Sequence, residues 1–506
     1  MVDISEKMEE VMELVYGGYY FTINRGRQFG KTTTLFAIEE RLSDSEYICV
    51  CISFEAAPCS MFDDESGFCQ GFLWRMNDSL MQASPEIAKL LLNYGAVSFD
   101  DLSRLITILC KDKKIVLLID EVDATSNNHI FLKFLSMLRS KYLVRDKPNQ
   151  GTFHSVVLAG VHDIKNIKLK LVKEGKAVLR HEERQFNSPW NIAADFEVDL
   201  SFSPKEIATM LTAYEKDHRT GMDVDAIAGE IYYYTSGYPF LVSRVCKHID
   251  EKLKKDWTIF GVHEAIKIIA SERNMLFDDL VKNIASYKNL SDLLYLILIK
   301  GKKPKYVFYD DDIYLAVTFG YVKKESNIAV ISNKIFEMVL CEIFIKQKEK
   351  EESISPPVGG GLIGEVTSGG VFNMELCLRK FADYYRYVFA EKNISFLEEH
   401  GALILLSYLN PIINGNGFIH LESRLVDNRR MDIVVDYGKE QFIIELKLWH
   451  GEANRDRAYE QLIGYMEAKN ANKGYLVTFD LRKSVNREKK TEWVHVGSRQ
   501  IFDVVV

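Results

Sequence analysis

The chain contains no apolar run approaching the roughly 20 residues that a bilayer-spanning helix requires. It also lacks any C-x-x-C pair. Its 8 cysteines are scattered and none lies beyond Cys377, so neither a disulfide framework nor a zinc ribbon is indicated. Cys49 and Cys51 stand two apart in a predicted strand and read as buried thiols. A reduced cytoplasm is therefore the expected compartment, and the acidic composition of the first ten residues is not that of a secretory signal. An excess of positive charge is missing as well. The 64 Lys and Arg are outnumbered by 72 Asp and Glu, for a formal net charge of −8. Such a chain has no general attraction for nucleic acid, and any contact must come from a local basic patch. Arg482-Lys483, followed by Arg487-Glu488-Lys489-Lys490, is one candidate. Internal repeats are absent. What remains is 506 residues with 47 % hydrophobic content, enough for two or three cores.

Near the C-terminal end, Met431-Asp432-Ile433-Val434-Val435-Asp436 is followed by Ile443-Ile444-Glu445-Leu446-Lys447. The spacing predicts a β-hairpin turning near Gly438-Lys439-Glu440. Side chains alternate along a strand, so Glu445 and Lys447 share one face while Ile444, Leu446 and Leu448 share the other. A glutamate set among Phe442, Ile443, Ile444 and Leu446 would be expensive to bury without a partner. A register with Asp432 opposite Glu445 brings two carboxylates and an ammonium together, a donor set suited to Mg²⁺ and a water.

This hairpin resembles the PD-(D/E)XK nuclease superfamily. Residues 396–409 read as a helix with Ala402, Leu405 and Leu409 on one apolar face. That face includes Glu398, in the place of the family's helical glutamate, with Glu399 one position round as the alternative. Ala458-Tyr459-Glu460-Gln461-Leu462-Ile463-Gly464-Tyr465 resembles the family's glutamine-bearing helix, and Gly474–Phe479 supplies the next strand. The resemblance spans about residues 375–506 as an α-β-β-α-β core. Met431 stands where the family usually has proline. The resemblance implies that Asp432 and Glu445 hold Mg²⁺, with Mn²⁺ as a substitute, and that Glu398 completes the metal shell. It further implies that Lys447 steadies the attacking water and the scissile phosphate, and that Gln461 orients substrate or water.

At the other end, the apolar run Tyr20-Phe21-Thr22-Ile23 leads into Asn24-Arg25-Gly26-Arg27-Gln28-Phe29-Gly30-Lys31-Thr32-Thr33. A strand, a glycine-containing loop and a helix start form a phosphate cradle from backbone N–H groups. Gly26, Arg27, Gly30, Lys31, Thr32 and Thr33 are the candidate ATP contacts, with Lys31 on the β/γ-phosphates and Thr32 on Mg²⁺. The first glycine of G-x-x-x-x-G-K-[ST] would fall at Arg25, one position before Gly26. Further on, Lys114-Ile115-Val116-Leu117-Leu118-Ile119-Asp120-Glu121 fits a buried parallel strand delivering Asp120 to Mg²⁺ and Glu121 to the attacking water.

Together these motifs resemble AAA-like P-loop ATPases of the prokaryotic, STAND-related type. The resemblance places a nucleotide-sensing polar residue after Ser155–Val161, where His162 or Asp163 would serve, the alternative being loop residues without a function. It also places a helical lid starting at Gly237-Tyr238-Pro239, with Arg244 either a γ-phosphate sensor or a surface arginine. Residues 289–346, with a hairpin at 320–324 and 328–331, resemble the winged-helix module of related ATPases. The acidic Tyr309-Asp310-Asp311-Asp312 favours a packing role for it over DNA binding.

The expected organisation is α/β: an ATPase core over 1–200, a lid over 201–284 and a winged-helix-like module over 285–346. A Pro-, Ser- and Gly-rich linker over 347–370 then leads to a nuclease-like domain over 371–506. The implied activity is an ATPase controlling a metal-dependent nuclease, with DNA favoured, a defence role by analogy and self-association through the ATPase domain. Two alternatives are a nucleotide switch whose nuclease-like domain only binds, and a toxin-like effector acting on a nucleotide or RNA.

Overall fold

The computed structural model describes residues 2–122, 129–161, 190–307, 309–352, 360–368, 371–389, 398–413, 417–423, 431–438, 440–449, 452–480 and 491–506. Asp123, His162, Asp163 and the basic patch at 482–490 lie outside these residues. By contacts the described chain forms two units. One comprises Met1–Ala213 with Gly237–Phe240 and Thr318–Gly320, and the other comprises the remainder.

The first unit is built on four parallel strands, β1 (Tyr20–Asn24), β2 (Tyr47–Ser53), β3 (Lys114–Asp120) and β4 (Ser155–Gly160), in the order β1-β4-β3-β2. Ala194 adds a parallel bridge to Phe21 on the outer side of β1. Both faces are covered, which is why these strands read as continuous apolar runs. On one face Tyr20, Val50, Ile52, Leu117, Ile119, Val156 and Leu158 pack with Phe68, Phe72, Phe131 and Phe134 from the flanking helices. On the other, Phe21, Ile23, Val116, Leu118, Val157 and Ala159 pack with the helices Ser5–Tyr16 and Lys31–Leu42.

The second unit opens with the helices Val224–Thr235, Pro239–Glu251 (whose first two residues belong to the other unit), Ile259–Ser271, Met275–Ser286 and Lys288–Leu298. The helix Asp311–Thr318 follows, then the hairpin β5 (Val322–Glu325) and β6 (Ile328–Ile331). That hairpin turns through Ser326 and Asn327, both at positive φ, which is the geometry of a tight hairpin turn. The acidic run before Asp311–Thr318 is a helix cap: Asp310 accepts from the N–H groups of Asp312 and Ile313, each at 3.0 Å. Its charge thus meets the positive end of a helix.

The linker expectation requires a correction. Residues 347–352 continue the helix Lys334–Glu352, and Gly360–Val366 is helical again before the short hairpin β7 (Thr367–Ser368) and β8 (Val371–Phe372). Lys, Glu and Gln are good helix formers, so a charged run was no sign of a break. The helix also packs on β9 (Gly417–Ser423) and on the helix Glu398–Ile413, contacts that composition cannot reveal.

Six strands then form a mixed sheet in the order β13-β14-β12-β11-β10-β9, with β10 (Met431–Tyr437), β11 (Glu440–Leu448), β12 (Lys473–Phe479), β13 (Thr491–Val496) and β14 (Arg499–Val505). Strands β11, β12 and β14 are parallel, and β9–β10–β11 is antiparallel. The helix Glu452–Ala468 covers one face through Ala458, Leu462 and Met466, which meet Ile443, Leu476 and Ile501. The helices Met374–Phe389 and Glu398–Ile413 lie on the other face, where Phe381 packs on Tyr408 and Phe479.

Candidate functional site

The phosphate loop leaves the C-terminal edge of the parallel sheet, where an open α/β sheet binds its ligands. Gly30, at φ +84°, caps the helix Lys31–Leu42. Gln28 is the loop's other left-handed residue, at φ 56°. Arg25 is not in that conformation, so a glycine is not required there. Its guanidinium turns back to the carbonyls of Asn24 and Val198, at 2.8 Å each. Gly26 has a different reason to be glycine: a Cβ would stand 2.7 Å from the carbonyl oxygen of Phe319. Gly26→Ala should therefore destabilise the loop by about 1–3 kcal/mol, read as a lower thermal midpoint and weaker ATP binding.

Lys31 is only 6 % exposed, and its Nζ donates to the carbonyls of Arg25 (3.1 Å) and Gly26 (3.0 Å). Arg27 and Thr33 are exposed on the loop and first helical turn. Across the sheet edge, the Thr32 hydroxyl donates to Asp120 Oδ2 at 2.6 Å. The hydroxyl and carboxylate paired in sequence as Mg²⁺ ligands are thus in contact, and this donor set fits the hydrated divalent cation of a nucleotide. Asp120 Oδ1 accepts from the Glu121 N–H at 2.8 Å, and Glu121 itself is held at φ 52°. A non-glycine residue in that region carries backbone strain of the kind concentrated at active sites.

Arg244 has another partner. Its Nε donates to Glu272 Oε1 at 2.8 Å, an oxygen that also lies 3.2 Å from His248 Nε2, while Lys252 Nζ stands 3.5 Å from Glu272 Oε2. Burial opposes ionisation of Glu272, but Arg244 and His248 outweigh it and hold its carboxyl below the usual range. That stabilisation is complete above the ordinary carboxylate pKa and is lost as pH falls through the lowered value. Glu272→Gln should cost about 1–3 kcal/mol at neutral pH. The gap to wild type in denaturant titrations should narrow below about pH 4.

In the second unit the register sets Asp432 directly opposite Glu445 on β10 and β11. The connecting turn is two residues long, since Tyr437 already pairs with Glu440. Glu445 (1 % exposed) and Lys447 (6 %) are buried and ion-paired through Oε1 and Nζ. Taking such charges out of water costs several kcal/mol per ion, so a buried pair is poor evidence of a stability device. A site that needs both charges is the better reason to keep them. Glu445 and Lys447 alternate in step with Ile443, so they lie on the face covered by the helix Glu452–Ala468, where Gln461 is half-buried.

Of Asp432, Glu398 and Glu399 the backbone alone is described. The first turn of the helix Glu398–Ile413 abuts Phe479: a Cβ on Gly401 would lie 2.5 Å from that ring. Phe479 pairs with Leu448, so this backbone lies on the face opposite Glu445 and Lys447. The helix also runs past Pro411 to Ile413, further than its apolar pattern suggests.

Sequence reasoning missed β9 and the buried charges beneath the helix Glu452–Ala468. Asp503, fully buried on β14, accepts from Arg455 Nε at 2.8 Å, and from Arg455 Nη2 and the Tyr459 hydroxyl. The clue was available, since Ile501-Phe502-Asp503-Val504 places an acid in an apolar strand as Ile444-Glu445-Leu446 does. These bonds fix the helix that carries Gln461 onto the sheet.

A family model described as an AAA-like domain matches residues 4–336. The chain belongs to this AAA-like family. A second match, to the PD-(D/E)XK nuclease superfamily, covers residues 418–490. The AAA-like chain thus joins a P-loop ATPase-like parallel sheet to a C-terminal mixed sheet of the nuclease superfamily. No curated protein matches it. Among solved structures it is similar to the Walker-type ATPase PABY2304 of Pyrococcus abyssi, at 12 % identity and TM-score 0.45, over 67 % of this chain and 96 % of that one. It is also similar to the ORC2 protein of Aeropyrum pernix, at 10 % identity and TM-score 0.42, over 69 % and 93 %. No helix among the described residues is long and apolar enough to cross a membrane.

Proposed function

We propose that this AAA-like chain binds and hydrolyses ATP, and that nucleotide controls a metal-dependent nuclease in its C-terminal domain. The observation that carries the reading is the buried Glu445–Lys447 pair with Asp432 in register opposite, in a chain that also holds Thr32 against Asp120. Asp432 and Glu445 would hold Mg²⁺ or Mn²⁺. The bound ion would polarise the phosphodiester and acidify its water. Lys447 places an ammonium where negative charge develops on the scissile phosphate, in a dry setting that strengthens its field. Gln461, on the helix anchored by Asp503, orients substrate or water. In the ATPase, Lys31 and the Gly30 helix start hold the phosphates, Thr32 and Asp120 hold the cation, and Glu121 orients the water.

The division drawn from the sequence into an ATPase core over 1–200, a lid over 201–284, a winged-helix-like module over 285–346 and a nuclease-like domain over 371–506 belongs to this proposal. So do DNA as the preferred substrate, a cytoplasmic setting, a role in defence, self-association through the ATPase domain, and Arg244 as an accessory residue. The test is cleavage of plasmid, oligonucleotide and RNA by the purified chain, with and without ATP and Mg²⁺ or Mn²⁺. Metal-dependent cleavage that changes with ATP is the expected result. Nucleic-acid binding without cleavage in any condition would leave a nucleotide-controlled binding switch as the better reading.

A further inference from the structure

Two residues beyond Lys447, Trp449 continues the row of side chains that carries the proposed metal site. Its N–H donates to the Phe479 carbonyl at 2.9 Å, so the ladder between β11 and β12 runs past the last strand residue, Leu448. Alternation along the strand then puts Glu445, Lys447 and Trp449 on one face. The helix Glu452–Ala468 fixes that side independently. Arg455, near its start, holds its guanidinium carbon 5.8 Å from the centre of the indole, and the same guanidinium bonds Asp503. Asp503 pairs with Leu476, and Leu476 with Glu445, so all three share a face.

The indole is held without being enclosed. Trp449 is only partly buried, whereas Glu445, Lys447, Arg455 and Asp503 are all buried. The guanidinium beside it is pinned: Asp503 Oδ2 accepts from Arg455 Nε at 2.8 Å and from Nη2. The Tyr459 hydroxyl accepts from Arg455 Nε at 3.1 Å and donates to the same carboxylate oxygen. A desolvated cation against an indole is a strong orienting contact. An oriented, part-exposed indole two residues from a reacting centre makes a stacking platform, and every base has a π face to lay on it. Such a platform suits a chain with 64 Lys and Arg against 72 Asp and Glu. Stacking gives affinity where no general positive field draws in the phosphates.

We propose that Trp449 stacks an unpaired base next to the scissile phosphate, so that the domain takes single-stranded DNA, or a frayed or flapped end, in preference to continuous duplex. In a duplex each base is paired and stacked on its neighbours. Its face reaches a side chain only when the base is turned out, at the cost of unpairing and unstacking it. Trp449 is thus a specificity residue, and Arg455 is the residue that positions it. The inference rests on the nuclease reading of Glu445 and Lys447 above.

Binding tests it in the full chain without requiring cleavage, with Ca²⁺ replacing Mg²⁺. Fluorescence anisotropy of a labelled mixed-sequence DNA oligonucleotide should show the single strand bound about tenfold or more tighter than the same strand annealed to its complement. Trp449→Ala should weaken single-strand binding by about 5–150-fold and abolish the preference. Trp449→Phe keeps a π face and should keep most of the preference. Trp449→Leu keeps apolar bulk alone and should lose it, and it carries the test should Trp449→Ala fail to fold. A preference retained in folded Trp449→Leu would overturn the platform, as would a wild type that binds duplex as tightly as single strand, or binds neither. A wild type that shows the preference but cuts nothing with Mg²⁺ or Mn²⁺ keeps the platform and loses the nuclease; one that cuts both forms at equal rates loses the platform alone.

Discussion

Asp432→Ala and Glu445→Gln are each expected to reduce metal-dependent cleavage by at least about 10²–10³-fold, the scale on which a preorganised charge at a reacting centre acts. Both remove a carboxylate from the register pair, and both should weaken Mn²⁺ binding in a direct titration. Glutamine is preferred to alanine at position 445 because Glu445 is 1 % exposed and a cavity there would add its own penalty. Lys447→Ala should be as inactive but should retain metal affinity, since an ammonium binds no cation. It also deletes the charge facing a buried carboxylate, a loss of about 3–5 kcal/mol. Its fold must therefore be checked by circular dichroism before its inactivity is interpreted. Cleavage that survives Asp432→Ala would show that the site lies elsewhere.

Lys31→Ala is expected to weaken ATP binding by about 10–100-fold, the range for losing one charge-assisted contact. The fold should survive, because the Lys31 head group donates to loop carbonyls and Lys31 belongs to neither hydrophobic cluster packed on this sheet. Glu121→Gln should separate the two activities. It preserves shape at a strained position, so ATP should still bind while turnover falls by about 10²–10⁴-fold. Isothermal titration alongside phosphate release distinguishes the two variants. Equal turnover in wild type and both would overturn the nucleotide site.

The phosphate loop and the hairpin were legible in sequence for different reasons. Strands β1, β3 and β4 are covered on both faces, so burial writes them as uninterrupted apolar runs ending at Asn24, Asp120 and Gly160. The Asp432–Glu445 pairing was legible because a two-residue turn leaves one register, and a slip of one residue would have turned Asp432 onto the face of Ile444 and Leu446, away from Glu445. What could not be read depended on distant partners. Arg244 meets Glu272, Gly26 meets Phe319, and Asp503 is neutralised by Arg455 and Tyr459. An acid in an apolar strand marks Asp503, but no local pattern names the partner in any of the three. Strand β9 was missed because His420, Glu422 and Ser423 break up its apolar run, and the helical run through 352 because its charged composition resembles that of a spacer.

Strand order has a consequence during synthesis. Among the described residues strand β1 has β4 and the Ala194 bridge as neighbours, with Tyr20 pairing with Val156. At about 5–20 residues per second, the nascent chain waits some 7–27 s before the strand leading into the phosphate loop has a place in the sheet. Phe21 and Ile23, both fully buried in the finished protein, go without their β4 neighbours Val157 and Ala159 for that interval. Messages truncated before β4 is translated should yield no nucleotide-binding product, and the early chain is the part most in need of a chaperone.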